Sequence, residues 1–463
     1  MLIYNTLTKK KEEFKPLEAG QAKIYTCGPT VYWFAHIGNL RTYIFEDILK
    51  RVLAFDGYKS THVMNITDVG HLTSDADSGE DKMEKGAKKE GKTAWEVAEF
   101  YTQAFKRDLE RLNVAEPDVW VKATDTIKEQ IELIQVLGKK GYTYTIDDGV
   151  YFDSSKIKDY GKLAGLKEDP AQLKARVEMA EGKKSPTDFA LWKFSPEGSK
   201  RQMEWESPWG KGFPGWHTEC IVMAAKYLNV PFDIHCGGID HVPVHHTNEI
   251  AQANAAWGND LANYWMHGEF LVLKDNRMGK SEGNAVTVET LIEKGFDPLA
   301  YRYLTLTAHY HTKLTFTLDD LAAAQTALQK LRGIVLDLKK SGVETQTDNE
   351  KNAKYREMFK EYINDDLNMP KALALVWIII KDQSVSDSDK YHLILEFDKI
   401  FGLDLDKVKD LEISPEVGVL IKEREDYRQQ KNWAMADETR KKIEALGYCV
   451  EDSKDGMKVK RIQ

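Results

Sequence analysis

The sequence predicts an α/β protein, with a parallel sheet split by an insertion and followed by C-terminal α-helical domains. Three observations lead there. A strand, helix, strand rhythm occupies Gln21 to Asn65, and the same rhythm resumes between Cys220 and Leu273. After about Leu318 it gives way to long amphipathic helices.

Residues Gln21 to Cys27 read as a β-branched and aromatic strand that stops at Cys27-Gly28-Pro29. Ile44, Phe45, Ile48, Leu49, Val52 and Leu53 then recur at helical spacing until Gly57. Lys59 to Asn65 is the second strand. Ligands of such sheets bind beyond the carboxyl ends of the strands, which is where Cys27 to Thr30 and Asn65 to Asp68 fall. Residues Ser74 to Thr93 are polar and glycine-punctuated and read as a flexible surface excursion. From about Asp118 to Gly212 the composition changes, with turn signals such as Asp147-Asp148-Gly149, and this stretch reads as the insertion. A helix at Cys220 to Leu228, a strand at Phe232 to Cys236, a helix from His245 and a strand near Tyr264 to Leu273 follow.

Composition excludes several classes of protein. With 42% hydrophobic and 30% charged residues over 463 positions, the chain has the makings of a large buried core. No run reaches the roughly 18 apolar residues of a membrane span, and no apolar leader precedes the first charges. Four scattered cysteines cannot make a disulfide scaffold, so a cytoplasmic protein is expected. A net charge of -9 argues against coating nucleic acid through the overall field, while leaving room for a local basic face.

Two short stretches suit phosphate. His36-Ile37-Gly38-Asn39 precedes the first helix, whose N-terminus attracts anions and whose His and Asn side chains can donate to phosphate oxygens. Arg277-Met278-Gly279-Lys280-Ser281 is a small basic loop able to neutralise developing charge. Singly, each is a common surface pattern. A third stretch, His245-His246-Thr247-Asn248-Glu249, puts His245 and Glu249 one helical turn apart, a spacing that suits two ligands of one metal ion. Cys27 and Cys220, near the same presumed cleft, would complete a set of two thiolates, an imidazole and a carboxylate. The alternative is two small core cysteines and a surface ion pair.

Together, in this order, the two phosphate stretches resemble the HIGH and KMSKS motifs of class I aminoacyl-tRNA synthetases. Asn39 stands in the fourth place of the first motif, and Gly279 replaces the first Ser of the second. The stretches around Cys27, Asn65 to Asp68, Trp216 to Cys220, Phe232 to Gly238 and His245 to Gln252 resemble the cysteinyl-tRNA synthetase family, over essentially the whole chain. The resemblance implies a Rossmann-like catalytic sheet that forms an aminoacyl-adenylate from ATP with Mg2+ and passes the aminoacyl group to tRNA(Cys). It implies His36, Asn39 and Lys280 as charge stabilisers, with Pro29, Gly38, Gly238, Asp240, Met278 and Ser281 also at the ATP. It implies one zinc per chain on Cys27, Cys220, His245 and Glu249, with Cys236 outside the ligand set and structural, and with His241 and His246 as competing ligands ranked below His245. Gly28, Thr67, Trp216 and His235 would line the pocket for L-cysteine.

The division expected is 1–117 and 213–285 for the two halves of the catalytic domain, and 118–212 for the insertion. A stem-contact region (286–340), a helical bundle (341–410) and an anticodon-binding region (411–463) follow. In the last, Trp433 and Tyr448 lie among Lys431, Arg440, Lys441 and Lys442, a mixture suited to RNA bases but equally to a solvated helix. A monomer is expected. The rival is the related ligase that joins activated cysteine to an amino sugar; its shorter C-terminal region fits poorly with Asp365 to Leu373 and with the tail. A non-enzymatic RNA-binding paralogue would have lost Lys280, His36 or a metal ligand, and all are present.

Overall fold

The structure is a computed structural model that describes the chain except for residues 70–81, 166–181, 197, 199–200, 274–284, 345–348, 410–413, 454–455 and 462–463. An antiparallel ribbon of β1 (Leu2–Asn5) and β2 (Lys10–Glu13) opens the chain. Then come β3 (Gln21–Thr26), α1 (Ile37–Phe55), β4 (Lys59–Ile66), α2 (Lys82–Glu90), α3 (Ala94–Arg111), β5 (Val119–Lys122) and α4 (Ile127–Lys139). An antiparallel sheet follows, made of β6 (Thr143–Ile146), β7 (Gly149–Phe152), β8 (Phe189–Phe194) and β9 (Gly212–Pro214). The main sheet resumes with α5 (Trp216–Leu228), β10 (Phe232–Gly238), α6 (His245–Trp257) and β11 (Ala262–Gly268).

The central sheet has five parallel strands in the order β11-β10-β3-β4-β5. Strand β3 comes first in the chain and lies in the middle. Its successors β4 and β5 are laid down on one side, and β10 and β11 on the other. The loops leaving β3 and β10 therefore diverge, and a crevice opens between their carboxyl ends, as it does at the switch point of doubly wound sheets. Helices cover both faces, so β10 is buried along most of its length and reads as a continuous run rather than an alternation. The first helix turns its apolar stripe, including Leu40, Ile44, Ile48 and Val52, into the core and stops at Gly57, which has φ +87°.

Four local expectations are corrected. Val119–Lys122 pairs with β4 in the central sheet, although composition put it in the insertion; four residues are too few to show a period. The strand expected near Tyr264 to Leu273 is two strands, β11 and β12 (Leu271–Leu273), the second pairing with β13 (Leu314–Phe316). The break is held open by Arg41, whose guanidinium donates to the carbonyls of Glu269 (2.8 Å), Phe270 (2.8 Å), His309 (3.1 Å) and Thr312 (2.6 Å). Within the polar excursion, residues 82–90 are helix α2, which packs on α3 through buried Met83 and Ala87, a stripe of only two apolar side chains. Cys220 lies in the second turn of α5, which begins at Trp216.

Beyond the sheet come α7 (Val288–Glu293), α8 (Pro298–Leu306), α9 (Leu318–Lys340), α10 (Glu350–Asn364), α11 (Met369–Lys381) and α12 (Asp387–Phe401). They share one hydrophobic core with α1 and α3. At this junction Arg302 of α8 is fully buried, paired with Asp47 of α1 and donating to the carbonyls of Phe401, Leu112 and Asn113. The last unit, α13 (Pro415–Gln429), α14 (Trp433–Ala445) and the ribbon of β14 (Tyr448–Ser453) and β15 (Gly456–Arg461), has a small core of its own around Val417, Ile443 and Tyr448. Among the described residues, no helix is long and apolar enough to cross a membrane.

Candidate active site

The crevice is built from the strand ends upward. Cys27 leaves β3 with its N–H on the carbonyl of Cys236 (3.2 Å), which ties it to β10. The next residue must be glycine for lack of space: a Cβ on Gly28 would lie 1.7 Å from the carbonyl oxygen of Asn65. This close approach lets the N–H of Gly28 donate to Asn65 Oδ1 (2.8 Å). The backbone of Thr67 then bridges to that of Pro29 and Val31 (3.0 and 3.1 Å). Above these ends lies a cavity of about 290 Å³. Cys27, Gly28 and Pro29 line it from β3, Thr67 from β4, Trp216 and Cys220 from α5, and Asp240 and His245 from the segment after β10.

His36 and Asn39 close the same cavity from the start of α1. Their side chains cap the helix reciprocally: Asn39 N–H donates to His36 Nδ1 (3.2 Å), and His36 N–H donates to Asn39 Oδ1 (3.3 Å). Gly38 leaves room for the imidazole, since a Cβ there would stand 2.9 Å from His36 Nδ1. Gly238 does the same for the Asp240 carboxylate, with a Cβ to Oδ1 distance of 2.3 Å. A helix N-terminus with two polar side chains at a cavity wall is an anion site in chemical terms. Gly38 and Gly238 act by what they leave empty, and neither lines the cavity itself.

The four expected metal donors are brought together. One ligand atom each from Cys27, Cys220, His245 and Glu249 lies within 4.8 Å of every other, and all four residues are buried. The two sulfurs are 3.9 Å apart, hydrogen-bonded and not joined as a disulfide, and His245 Nε2 stands 2.9 Å from Glu249 Oε1. Two zinc–sulfur bonds of about 2.3 Å at a tetrahedral angle would separate the sulfurs by roughly 3.8 Å, so the pair is already at the spacing a zinc ion needs. Burial pushes the thiols up; for Cys220, hydrogen bonding to Cys27 and His245 more than offsets this and brings it to about 7. Cys27 stays well above its ordinary value through burial and the neighbouring Cys220. Burial disfavours charge on His245 too, yet Glu249 pulls it up to about 10. Glu249 in turn sits well below the usual carboxylate range, because His235 and His245 outweigh its burial. Cys220 and Glu249 thus favour thiolate and carboxylate, the forms that bind metal, whereas Cys27 and His245 would each release a proton on binding one.

A second group, Cys27, His235, His246 and Glu249, meets the same distance limit. His235 and His246 do not line the cavity, whereas Cys27, Cys220 and His245 do. His235 was expected in the substrate pocket and instead stands behind it, Nε2 2.7 Å from Glu249 Oε2. His246 approaches Cys27 Sγ at 3.3 Å from the same side. Trp216 stacks on the His245 ring at 4.3 Å between centroids and walls the cavity. Met278, Lys280 and Ser281 lie outside the described residues. Asn65 and Glu219 are among the buried polar residues that the sequence reading did not single out. Both lie inside stretches quoted for the resemblance, and their signal was a polar residue within an apolar strand or helix.

Comparison with known proteins agrees with this geometry. The family model described as "tRNA synthetases class I (C) catalytic domain" matches residues 13–326. The structure of a Mycobacterium tuberculosis methionyl-tRNA synthetase in complex with methionyl-adenylate shares the fold, with a TM-score of 0.57 at 14% identity over 84% of this chain and 93% of that one. The class is therefore that of the class I tRNA synthetases. A second family model, "Cysteinyl-tRNA ligase anticodon binding domain", matches residues 410–459. Cysteine–tRNA ligase 1 of Burkholderia lata is 51% identical over 99% of this chain and 96% of its own length. The cysteine–tRNA ligase of Treponema denticola is 44% identical over 97% of each. The chain belongs to the cysteine–tRNA ligase family.

Proposed function

We propose that this protein joins L-cysteine to tRNA(Cys) in two steps at the cavity between β3 and β10. The observation that carries the reading is the juxtaposition there of a buried two-thiol, histidine and glutamate donor set with a capped helix N-terminus. A carboxylate oxygen of cysteine attacks the α-phosphorus of ATP, and the bond to pyrophosphate breaks. A hydroxyl of the terminal tRNA ribose then attacks the acyl carbon, and AMP leaves.

Catalysis of such a transfer is mostly positioning and charge stabilisation. His36 and Asn39, at the positive end of the α1 dipole, hold phosphate oxygens of ATP delivered with Mg2+. Lys280, helped by Met278 and Ser281 in its loop, neutralises charge developing on the departing pyrophosphate. Asp240 accepts from a ribose hydroxyl, while Pro29, Gly38 and Gly238 allow the nucleotide to come close. Gly28, Thr67 and Trp216 shape the cysteine pocket, and His235 orients Glu249 from behind. A zinc ion held by Cys27, Cys220, His245 and Glu249 would take the substrate thiolate as a further ligand, for which a serine hydroxyl is a poor substitute. Steric selection between such near-isosteres supplies only about 10- to 200-fold. The anticodon-domain match over residues 410–459 and the full-length ligase relatives favour tRNA over an amino sugar as acceptor.

ATP–pyrophosphate exchange with each amino acid in turn, followed by charging of total tRNA, tests the proposal. Cysteine alone should support exchange and appear on tRNA. Exchange driven by another amino acid, or transfer of cysteine to an amino sugar but never to tRNA, would overturn it.

A further inference from the structure

Glu219 is a fully buried carboxylate, in the first turn of α5, to which the reaction above assigns no task. It ends a line of hydrogen bonds. Gly28 N–H donates to Asn65 Oδ1 (2.8 Å), Asn65 Nδ2 donates to Thr67 Oγ1 (3.0 Å), and the Thr67 hydroxyl donates to Glu219 Oε2 (3.3 Å). The direction of the line is forced at its start. A backbone N–H can only donate, so the Asn65 oxygen must face Gly28 and its NH2 must face Thr67. A hydroxyl has one proton and two lone pairs. In Thr67 one lone pair is occupied by Asn65 and the proton is committed to Glu219. What remains is a lone pair, on a residue that lines the cavity.

We propose that Glu219 is a positioning residue for substrate specificity: by holding the Thr67 proton, it makes Thr67 a hydrogen-bond acceptor toward the pocket and so selects the α-ammonium of the amino-acid substrate. The inference rests on reading this cavity as the cysteine pocket. A glutamate suits the task and a glutamine does not. A carboxylate can only accept from Thr67, whereas an amide can turn its NH2 to Thr67 and send the hydroxyl proton into the cavity, against the ammonium. The place is suited to a carboxylate as well, since the N-terminal turn of a helix favours negative charge.

The test is ATP–pyrophosphate exchange by the full-length protein, with 3-mercaptopropionate, which keeps the thiol and carboxylate of cysteine but lacks the ammonium, as a competing ligand. Glu219→Gln should raise KM for cysteine about 10- to 100-fold, the range expected for one hydrogen bond to a charged group. KM for ATP and the inhibition constant of 3-mercaptopropionate should stay within about twofold, because neither involves the ammonium. Thr67→Val, which keeps the shape and removes the acceptor, should reproduce the cysteine-specific loss, and Thr67→Ser should restore most of it. Adding Glu219→Gln to Thr67→Val should cost less than about twofold more, since two residues acting through one hydroxyl are not additive. Equal weakening of cysteine and 3-mercaptopropionate, additive losses in the double variant, or an unchanged cysteine KM in Thr67→Val would each overturn the inference. The Thr67 variants decide it even where Glu219→Gln does not fold. Wild-type protein without any cysteine-dependent exchange would instead remove the pocket reading, and this inference with it.

Discussion

The sulfur atoms of Cys27 and Cys220 stand 3.9 Å apart across the mouth of the crevice, one just past the end of β3 and the other in the second turn of α5. If they are half of a tetrahedral zinc site, purified protein should contain about one zinc per chain. Cys220→Ala or His245→Ala should reduce that content several-fold and let serine compete with cysteine to within the few hundredfold that shape alone allows. Metal analysis and amino-acid-dependent exchange on the same preparations check both. Full selectivity in protein free of zinc would sink the metal assignment.

Arg302 and Asp47 couple the helical region to α1 through a fully buried ion pair. Removing one partner leaves the other charge without compensation, at a cost of about 3–5 kcal/mol. Arg302→Ala should therefore lower the denaturation midpoint far more than removal of an exposed pair such as Lys11 and Asp365. Arg302→Lys should restore little, because a single ammonium cannot serve Asp47 and three carbonyls at once. A midpoint unchanged in Arg302→Ala would mean that this junction does not support the fold.

His62 predicts a pH dependence of stability. It lies buried on β4, its Nε2 2.9 Å from Thr26 Oγ1 of the neighbouring β3, and burial together with nearby Lys50 pushes it down to about 3. The unfolded chain protonates this residue near pH 6.5 and the folded chain does not. Its stabilising contribution is complete above about 6.5 and declines as pH falls toward 3. At pH 5 the loss from this residue is about 2 kcal/mol, from roughly 1.4 kcal/mol per pH unit. His62→Gln should thus show a smaller drop in thermal midpoint between pH 7 and pH 5 than the wild type. An identical drop in both would show that His62 titrates normally.

The C-terminal unit packs on its own small core, and the cavity residues all lie upstream of it. A chain ending at Lys409 keeps Leu405, which is buried against the helical region, and should fold. It should retain cysteine-dependent exchange at near wild-type rate and charge tRNA at least tenfold less well at limiting tRNA. Charging by the intact protein should weaken as salt is raised, because phosphate contacts release counterions. Equal charging by the folded, shortened chain would exclude this unit from tRNA binding.

The sequence by itself determined the order of the elements, the interruption of the sheet and the chemistry available. Gly28, His36, Asn39, Cys27, Cys220, His245 and Glu249 were all legible, because turn, cap and ligand chemistry depends on residue type and on spacing along one segment. His245 and Glu249 could be placed on one helical face for the same reason. Only the tertiary structure decided which distant segments meet. Cys27 and Cys220 are 193 positions apart, and nothing in either segment encodes their separation. That separation follows from the tertiary packing, which sets β10 beside β3 and lays α5 over β3 and β4. The same packing put His235 behind Glu249 rather than in the cavity. It also joined Asn65, Thr67 and Glu219 into one line, and it made Val119–Lys122 a strand of the main sheet. A four-residue strand has no period to read, and a buried polar side chain reveals its partner only when the partner arrives from elsewhere in the chain.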